Sequence, residues 1–284
     1  MLYRDKAGTA PEAEAPLEKE GRYLYCVADA GERASLGEIG IEGAEVYTIP
    51  HRDICAVVHD CPAQPYQSGD QEVVKTWVMT HQKVVDAAGA RWGTVLPLSF
   101  DAIIKGESGS GAEQNVRRWL QSEYEALKTK MDKVRGKAEY GVQVFWDPKP
   151  VAQELTETIP EIRKLQEEIR SKPKGLAYMY RQRLESLIKR ELETKADECF
   201  KDFYSRIRKH TDDVRVEKAK KAEQGRQMIM NLSCLVSKDR HTELGEELDK
   251  INEMKGISVR FTGPWPPYSF VGGAGKGELY GANS

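Results

Sequence analysis

One apolar seam constrains this chain more than any other feature. Leu176, Tyr180, Leu184, Leu187, Ile188, Leu192, Ala196, Phe200, Phe203 and Ile207 recur at helical spacing with no proline among them. They predict one helix over residues 176–209, about 50 Å long at ~1.5 Å rise per residue. A rod of that length outruns an ordinary lobe, so part of the seam must pack on a neighbouring helix. The preceding segment supplies one. Val151, Leu155, Ile159, Ile162, Leu165 and Ile169 form a second stripe, which Pro160 kinks or divides, and "SKPKG" turns between the two. The hairpin so formed carries more apolar surface than one small lobe buries. The remainder is expected to meet a hydrophobic partner.

After the hairpin the period changes. "DDVRVEK" and "RQMIMNLSCLVSKD" read as strands around the charged loop "AKKAEQG". "HTELGEELDKINEMKG" reads as a helix ending at Gly256, and "ISVRFTG" as a last strand. Residues 149–271 therefore form a C-terminal α+β domain with a long helical hairpin. Upstream, "RYLYCVAD", "AEVYTIPH" and "DICAVVHD" are strands rich in aromatic and β-branched residues. A helical stripe follows through Val73, Val74, Trp77, Val78, His81, Val84, Val85 and Ala88, with Gly89 as its stop. "TVLPLSF" has strand length. A second helix runs from Ala112 to near Gly136 through Val116, Trp119, Leu120, Tyr124, Leu127, Met131 and Val134. "YGVQVFW" alternates as a closing strand, and "DPKP" follows as a boundary. Residues 21–148 thus read as β-β-β-α-β-α-β, an α+β sandwich with two helices on one sheet face. The Ala-, Glu- and Pro-rich residues 1–20 are expected to be a disordered tail, and residues 272–284 a flexible Gly-rich one.

The chain of 284 residues carries 31% charged residues and a formal net charge of −2. Proteins that hold nucleic acid by neutralising phosphates usually show a basic excess, so no nucleic-acid partner is expected. No run of 18 apolar residues is present, so no membrane partner is expected either. The five cysteines are widely spaced and no secretory segment precedes them, which fits a reduced interior.

His51, Cys55, His59 and Cys61 are the best metal ligands by type. On a strand, however, residues four apart sit about 13 Å from one another, too far to share one zinc. Core thiols with edge histidines are expected instead, and no metal. His81 falls on an apolar stripe and lacks an adjacent nucleophile, so it reads as a packed histidine satisfied by a carbonyl. "GGAGKG" lacks the Ser or Thr and the following helix of a phosphate loop, and "GESGSG" lacks the lysine. "VEKAKKAEQGR" reads as a solvated hairpin loop. No catalytic residue and no cofactor is assigned.

"FTGPWPPYSFV", residues 261–271, packs three prolines and four aromatics together. Pro264, Pro266 and Pro267 argue against a strand or a helix and for an extended, polyproline-like course. Trp265, Pro266, Pro267, Tyr268 and Phe270 are therefore candidate residues for one of two roles. They are a latch packed back on the C-terminal sheet, or an outward face for a partner. The latch is the expected form. The same stretch strongly resembles the C-terminal signature of the gas vesicle protein F/L family. "RYLYCVAD" resembles its first strand, "HQKVVDAAGARWGTVLPLSFDAII" its helix–strand unit, and "EYGVQVFWD" the strand closing its N-terminal domain. The resemblance covers residues 22–271. It departs where the family commonly has Arg and Gly around Phe100; this chain has Ser99 and Asp101. What the resemblance implies is a ferredoxin-like N-terminal domain, a C-terminal domain with long helices, and no enzymatic activity. It implies an accessory or minor structural role in gas vesicle formation, cytoplasmic during assembly, through contact with the small hydrophobic shell protein and other accessory proteins. Two other classes stay open: an RNA-binding protein using a ferredoxin-like sheet, and an enzyme.

Overall fold

The computed structural model describes residues 20–106, 109–219 and 225–272. The tails expected at residues 1–19 and 273–284, and most of the "AKKAEQG" loop, lie outside them. The chain divides into two compact units, residues 20–127 and Lys128–Gly272.

In the first unit, β1 (Glu20–Ala28), β2 (Ser35–Gly37), β3 (Val46–His51) and β4 (Ile54–Pro62) precede α1 (Gln71–Trp92). Then come β5 (Val95–Pro97), β6 (Ile103–Lys105) and α2 (Ala112–Ser122). The sheet runs β2-β3-β4-β1-β5, with β6 also paired to β1, and the pairings are antiparallel. Asp70 caps α1 by accepting from Glu72 N (2.9 Å), and Ser68 Oγ in turn accepts from Asp70 N (3.1 Å). The helix outlasts the expected stop at Gly89. It ends at Gly93, whose φ of 80° suits glycine alone among common residues.

Two expectations for this unit are corrected. The helices do not share a face. Tyr23, Tyr25, Cys55, Val57 and Cys61 pack with Trp77, Val84, Val85 and Ala88 of α1. The intervening Leu24, Ala56 and Val58 point the other way and are fully buried, and α2 contacts β1, β3 and β4 without joining the α1 cluster. The unit is a helix–sheet–helix stack. The reason was present in "YLYCVA" and "ICAVV", which are continuous apolar runs. A strand covered on one face alternates, whereas one covered on both does not. Nor does this half have the ferredoxin-like order, because β1, β2, β3 and β4 all come before the first α-helix.

The second expected helix is broken at Glu123. It gives α2 and α3 (Tyr124–Val134), and the division between the units falls inside α3. The second unit continues with β7 (Lys137–Trp146), α4 (Pro148–Thr158), α5 (Pro160–Ser171) and α6 (Lys174–Arg208). It closes with β8 (Asp213–Val216), β9 (Gln227–Ser237), α7 (His241–Asn252), β10 (Ile257–Trp265) and α8 (Tyr268–Val271). Its antiparallel sheet runs β10-β7-β9-β8. The strand expected to close the first sheet, β7, is therefore a central strand of the second, and "DPKP" caps α4 rather than parting two lobes. Asp147 accepts from Lys149 N (3.0 Å), and proline at the helix start needs no donor. Leaving out α4 and α5, the order β7-α6-β8-β9-α7-β10 is a split β-α-β-β-α-β. That arrangement was expected of the other half.

Pro160 begins α5 rather than kinking a continuous helix. The 35 residues of α6 span about 52 Å. Its seam has two partners. Tyr180, Leu184, Leu187 and Ile188 pack with Leu155, Ile159, Ile162 and Leu165 of α4 and α5. Further along, Phe203 and Ile207 join Leu244, Leu248 and Ile251 of α7 against the sheet residues Tyr140, Val142, Val144, Leu232 and Cys234.

Candidate partner-binding surface

The titratable groups flagged by the sequence lie inside the first unit. His81 is packed: Nε2 lies 3.2 Å from Leu98 O and Nδ1 2.8 Å from Tyr23 Oη. A carbonyl only accepts, so Nε2 carries the proton and Nδ1 accepts from the tyrosine. Tyr23 Oη then accepts from Asp101 N at 3.1 Å. His59 is not an edge residue. It is fully buried, with Nδ1 2.8 Å from Tyr25 Oη and Nε2 2.9 Å from Tyr66 Oη. Burial lowers both histidines from 6.5 to about 4, so both are neutral at pH 7. Cys55 and Cys61 are core thiols, pushed by burial up to about 12 and about 11. Among the described residues, no group of three or more His, Cys, Asp or Glu is placed to hold a metal ion. This is a structural network. Asp101 belongs to it: its φ is 69°, a left-handed conformation that Asp tolerates better than most residues, and its Oδ1 accepts from Tyr66 N at 3.0 Å. The Asp101 side chain thus supplies a hydrogen bond that a glycine at this position would lack. Ser99 is exposed.

The C-terminal signature is built differently. β10 pairs with β7 from Ile257 opposite Trp146 to Thr262 opposite Gly141, then slips before Trp265 meets Glu139. So the strand does run through Pro264, contrary to expectation. It is an edge strand, where proline's missing donor costs no ladder bond. Two glycines make the close approach. A Cβ on Gly141 would sit 2.7 Å from Thr262 Oγ1, and one on Gly263 2.8 Å from Glu139 O. The chain then turns over the sheet face opposite α6 and α7. Ser269 N and Oγ lie 2.8 and 2.6 Å from the two oxygens of the buried Glu139 carboxyl, and Ser269 Oγ is 3.0 Å from Ser233 Oγ. Phe270 is 4% exposed, with Lys133 Nζ and Arg215 Cζ 5.7 and 5.6 Å from its ring centre.

The candidate residues therefore part company. Pro267 and Phe270 are buried with Val271 and hold the strap down, and Pro266 and Tyr268 are half-buried. Trp265, expected inside, is 48% exposed, and Phe261 is 38% exposed. The slip after Thr262 and the cover over Glu139 fix which residues face in, and no local sequence signal reports that. Behind Phe261 stands Tyr140, stacked at 5.2 Å, and behind Tyr140 stands His241 at 6.3 Å. Phe261 lies outside the candidate residues the sequence singles out, although its place two residues beyond Val259 on the same strand face is legible there. Along the free edge, Asn252 Oδ1 occupies Val259 N (2.9 Å), leaving the stretch toward Trp265 uncapped by that side chain.

The fold and this edge define a two-unit α+β protein whose exposed chemistry is aromatic and proline-bounded. The chain belongs to the gas vesicle synthesis protein GvpL/GvpF family, whose model matches residues 21–272. It is 33% identical to gas vesicle protein L1 of Halobacterium salinarum, over 94% of this chain and 98% of that protein. It is 28% identical to gas vesicle protein L of Haloferax mediterranei, over 94% and 93%. The fold matches the crystal structure of GvpF from Anabaena with a TM-score of 0.72 at 19% identity, covering 89% of this chain and 98% of that one. For GvpF from Microcystis aeruginosa the values are 0.62, 18%, 88% and 98%.

Proposed function

We propose that this protein acts in gas vesicle formation as a non-enzymatic accessory or minor structural component. It binds the small hydrophobic shell protein, together with other accessory proteins, through the β10 edge around Phe261 and Trp265. The observation that carries this reading is the exposure of two large aromatics on a strand otherwise pinned by the Ser269–Glu139 strap. A rigid, pre-ordered aromatic edge loses little entropy on docking, and aromatics of this kind anchor protein interfaces. Assembly takes place in the cytoplasm.

RNA binding is disfavoured by two features. Both faces of the first sheet are covered by helices. The uncovered face of the second presents Gln143, Asn231 and Ser258, and its Phe145 lies under Arg260 at 5.4 Å. Base stacking needs aromatic rings laid out across such a face, whereas the exposed Phe261 and Trp265 stand on its edge strand.

The test is co-expression with the shell protein, followed by pull-down and by restoration of floating cells in a strain lacking this gene. Phe261→Asp with Trp265→Asp should melt within a few degrees of wild type yet lose shell-protein recovery and flotation. Undiminished recovery by the double variant would rule out this edge. Failure of the wild-type protein to recover shell protein would rule out the shell as direct partner.

A further inference from the structure

The α5–α6 turn carries a surface that the family reading does not use. Leu176, Tyr178 and Met179 are 51%, 61% and 65% exposed. They occupy the first turns of α6, about 40 Å along its axis from Phe203, where the helix meets the sheet. In this stretch Ala177 is buried; Leu176 and Met179 are neighbours at i, i+3, Tyr178 stands about 100° round the axis from Met179, and Gln182 and Arg183 end the row after one turn, so the three large side chains spread over the outward half of the helix without forming a long stripe. A partner helix needs a stripe to fill a groove; side chains pointing several ways at a hairpin tip suit a fluid layer that closes round them. The turn itself is basic, with Glu167, Glu168 and Glu185 only at its borders. From Ile169 to Leu184 the sequence holds Arg170, Lys172, Lys174, Arg181 and Arg183 and no acidic residue. Arg170, Lys172 and Arg181 are exposed, Lys172 Nζ lies 5.8 Å from the Tyr180 ring centre, and Arg183 reaches Glu161 at 3.7 Å.

We propose that this tip docks on an anionic lipid surface. Leu176 and Met179 enter the boundary between headgroups and chains, Tyr178 sits at headgroup level, and the cations meet lipid phosphates and carboxylates. Among the described residues no helix is long and apolar enough to cross a membrane, so the contact proposed is interfacial. It is independent of the β10 edge and of the shell protein.

The experiment uses the purified full chain and sedimenting vesicles, either pure phosphatidylcholine or phosphatidylcholine with 30% phosphatidylglycerol as a working composition of roughly the anionic content that recruits basic segments. The expected result is sedimentation with the anionic vesicles only, reversed by salt. Leu176→Glu with Met179→Glu should reduce the bound fraction about tenfold, and so should Arg170→Glu with Lys172→Glu and Arg181→Glu. Both variants change exposed side chains, and their thermal melts should match wild type. Phe261→Asp with Trp265→Asp should bind vesicles like wild type. No binding to anionic vesicles, equal binding to neutral ones, or full binding by either tip variant would each overturn the proposal. Tip-dependent capture of acidic protein with no vesicle binding would overturn it in favour of a protein partner.

Discussion

The two sheets of this molecule are made of similar strands and are used in opposite ways. β1 is buried at every position after Glu20, whereas β10 has no fully buried position. The first sheet has helices on both faces and turns its polar chemistry inward, into the Tyr23–His81 and Tyr25–His59–Tyr66 chains. The second has helices on one face, a short strap on part of the other, and large aromatics on its free edge. The contrast teaches that covering, and not strand composition, decides what a sheet can offer a partner. A doubly covered sheet has only its core to protect. A singly covered one must manage a polar face and an open edge.

The contrast breaks most visibly with a charge. Val58→Asp places a carboxylate where the side chain is fully buried, and should cost roughly 4–5 kcal/mol or more, enough to prevent folding of the first unit. Arg260→Asp, on the exposed edge strand, should cost at most about 1 kcal/mol, chiefly the contact with Phe145. Urea denaturation midpoints compare the two, and similar costs would erase the distinction between the sheets. Within the C-terminal segment, Phe270→Ala should cost about 3–5 kcal/mol and Trp265→Ala within about 0.5 kcal/mol. If Trp265→Ala proved as damaging as Phe270→Ala in thermal melts, the tryptophan would belong to the strap.

Acid should separate the units next. The folded pKa of His59 and His81 is about 4, below the ordinary 6.5, so the fold favours their neutral forms. That stability is complete above pH 6.5 and is lost as pH falls toward 4, on the order of 3 kcal/mol for each histidine. In the second unit, hydrogen bonds from Lys133 and Arg206 hold Asp213 and Glu247 below their ordinary 3.8 and 4.5. Their contribution is lost only at lower pH. Hydrogen exchange read peptide by peptide at pH 7 and pH 4.5 should show β1 and β4 loosening before β7 and β9; the reverse order would refute the histidine assignment. A smaller loss than either histidine's comes from Ser269→Ala, which leaves Glu139 with fewer donors and should cost roughly 1–3 kcal/mol. Loss of protection in peptides around Phe270, with β1 unchanged, is the signature to seek.

Much of this was legible in the sequence, and the misses have physical causes. The seams of α1 and α6 carry a 3.6-residue period that survives any tertiary context, so Trp77, Val84, Phe203 and Ile207 lie in the cores where that period puts them. Pro160 and the packed His81 were readable for the same local reason. The side on which α2 lies is written in the unbroken apolar run of β1, which lacks the alternation of a half-covered strand. The allegiance of β7 was not legible, because pairing with β9 and β10 depends on residues far along the chain. Trp265 shows the limit most clearly. Proline and tryptophan mark a stiff aromatic segment, but a one-residue slip in register decides which ring faces water.

The place of β7 also bears on how the chain is made. Tyr47 and Val58 pair across a hairpin of a few residues, so part of the first sheet forms from neighbours. Val142 pairs with Phe261, about 120 residues later. During synthesis the first unit can close while β7 is still waiting for both of its partners. For that interval β7 has two open edges and an apolar face, and it is the strand most exposed to mispairing with another nascent chain. The burden of correct folding in the cell therefore falls on the time between the emergence of Trp146 and that of Trp265.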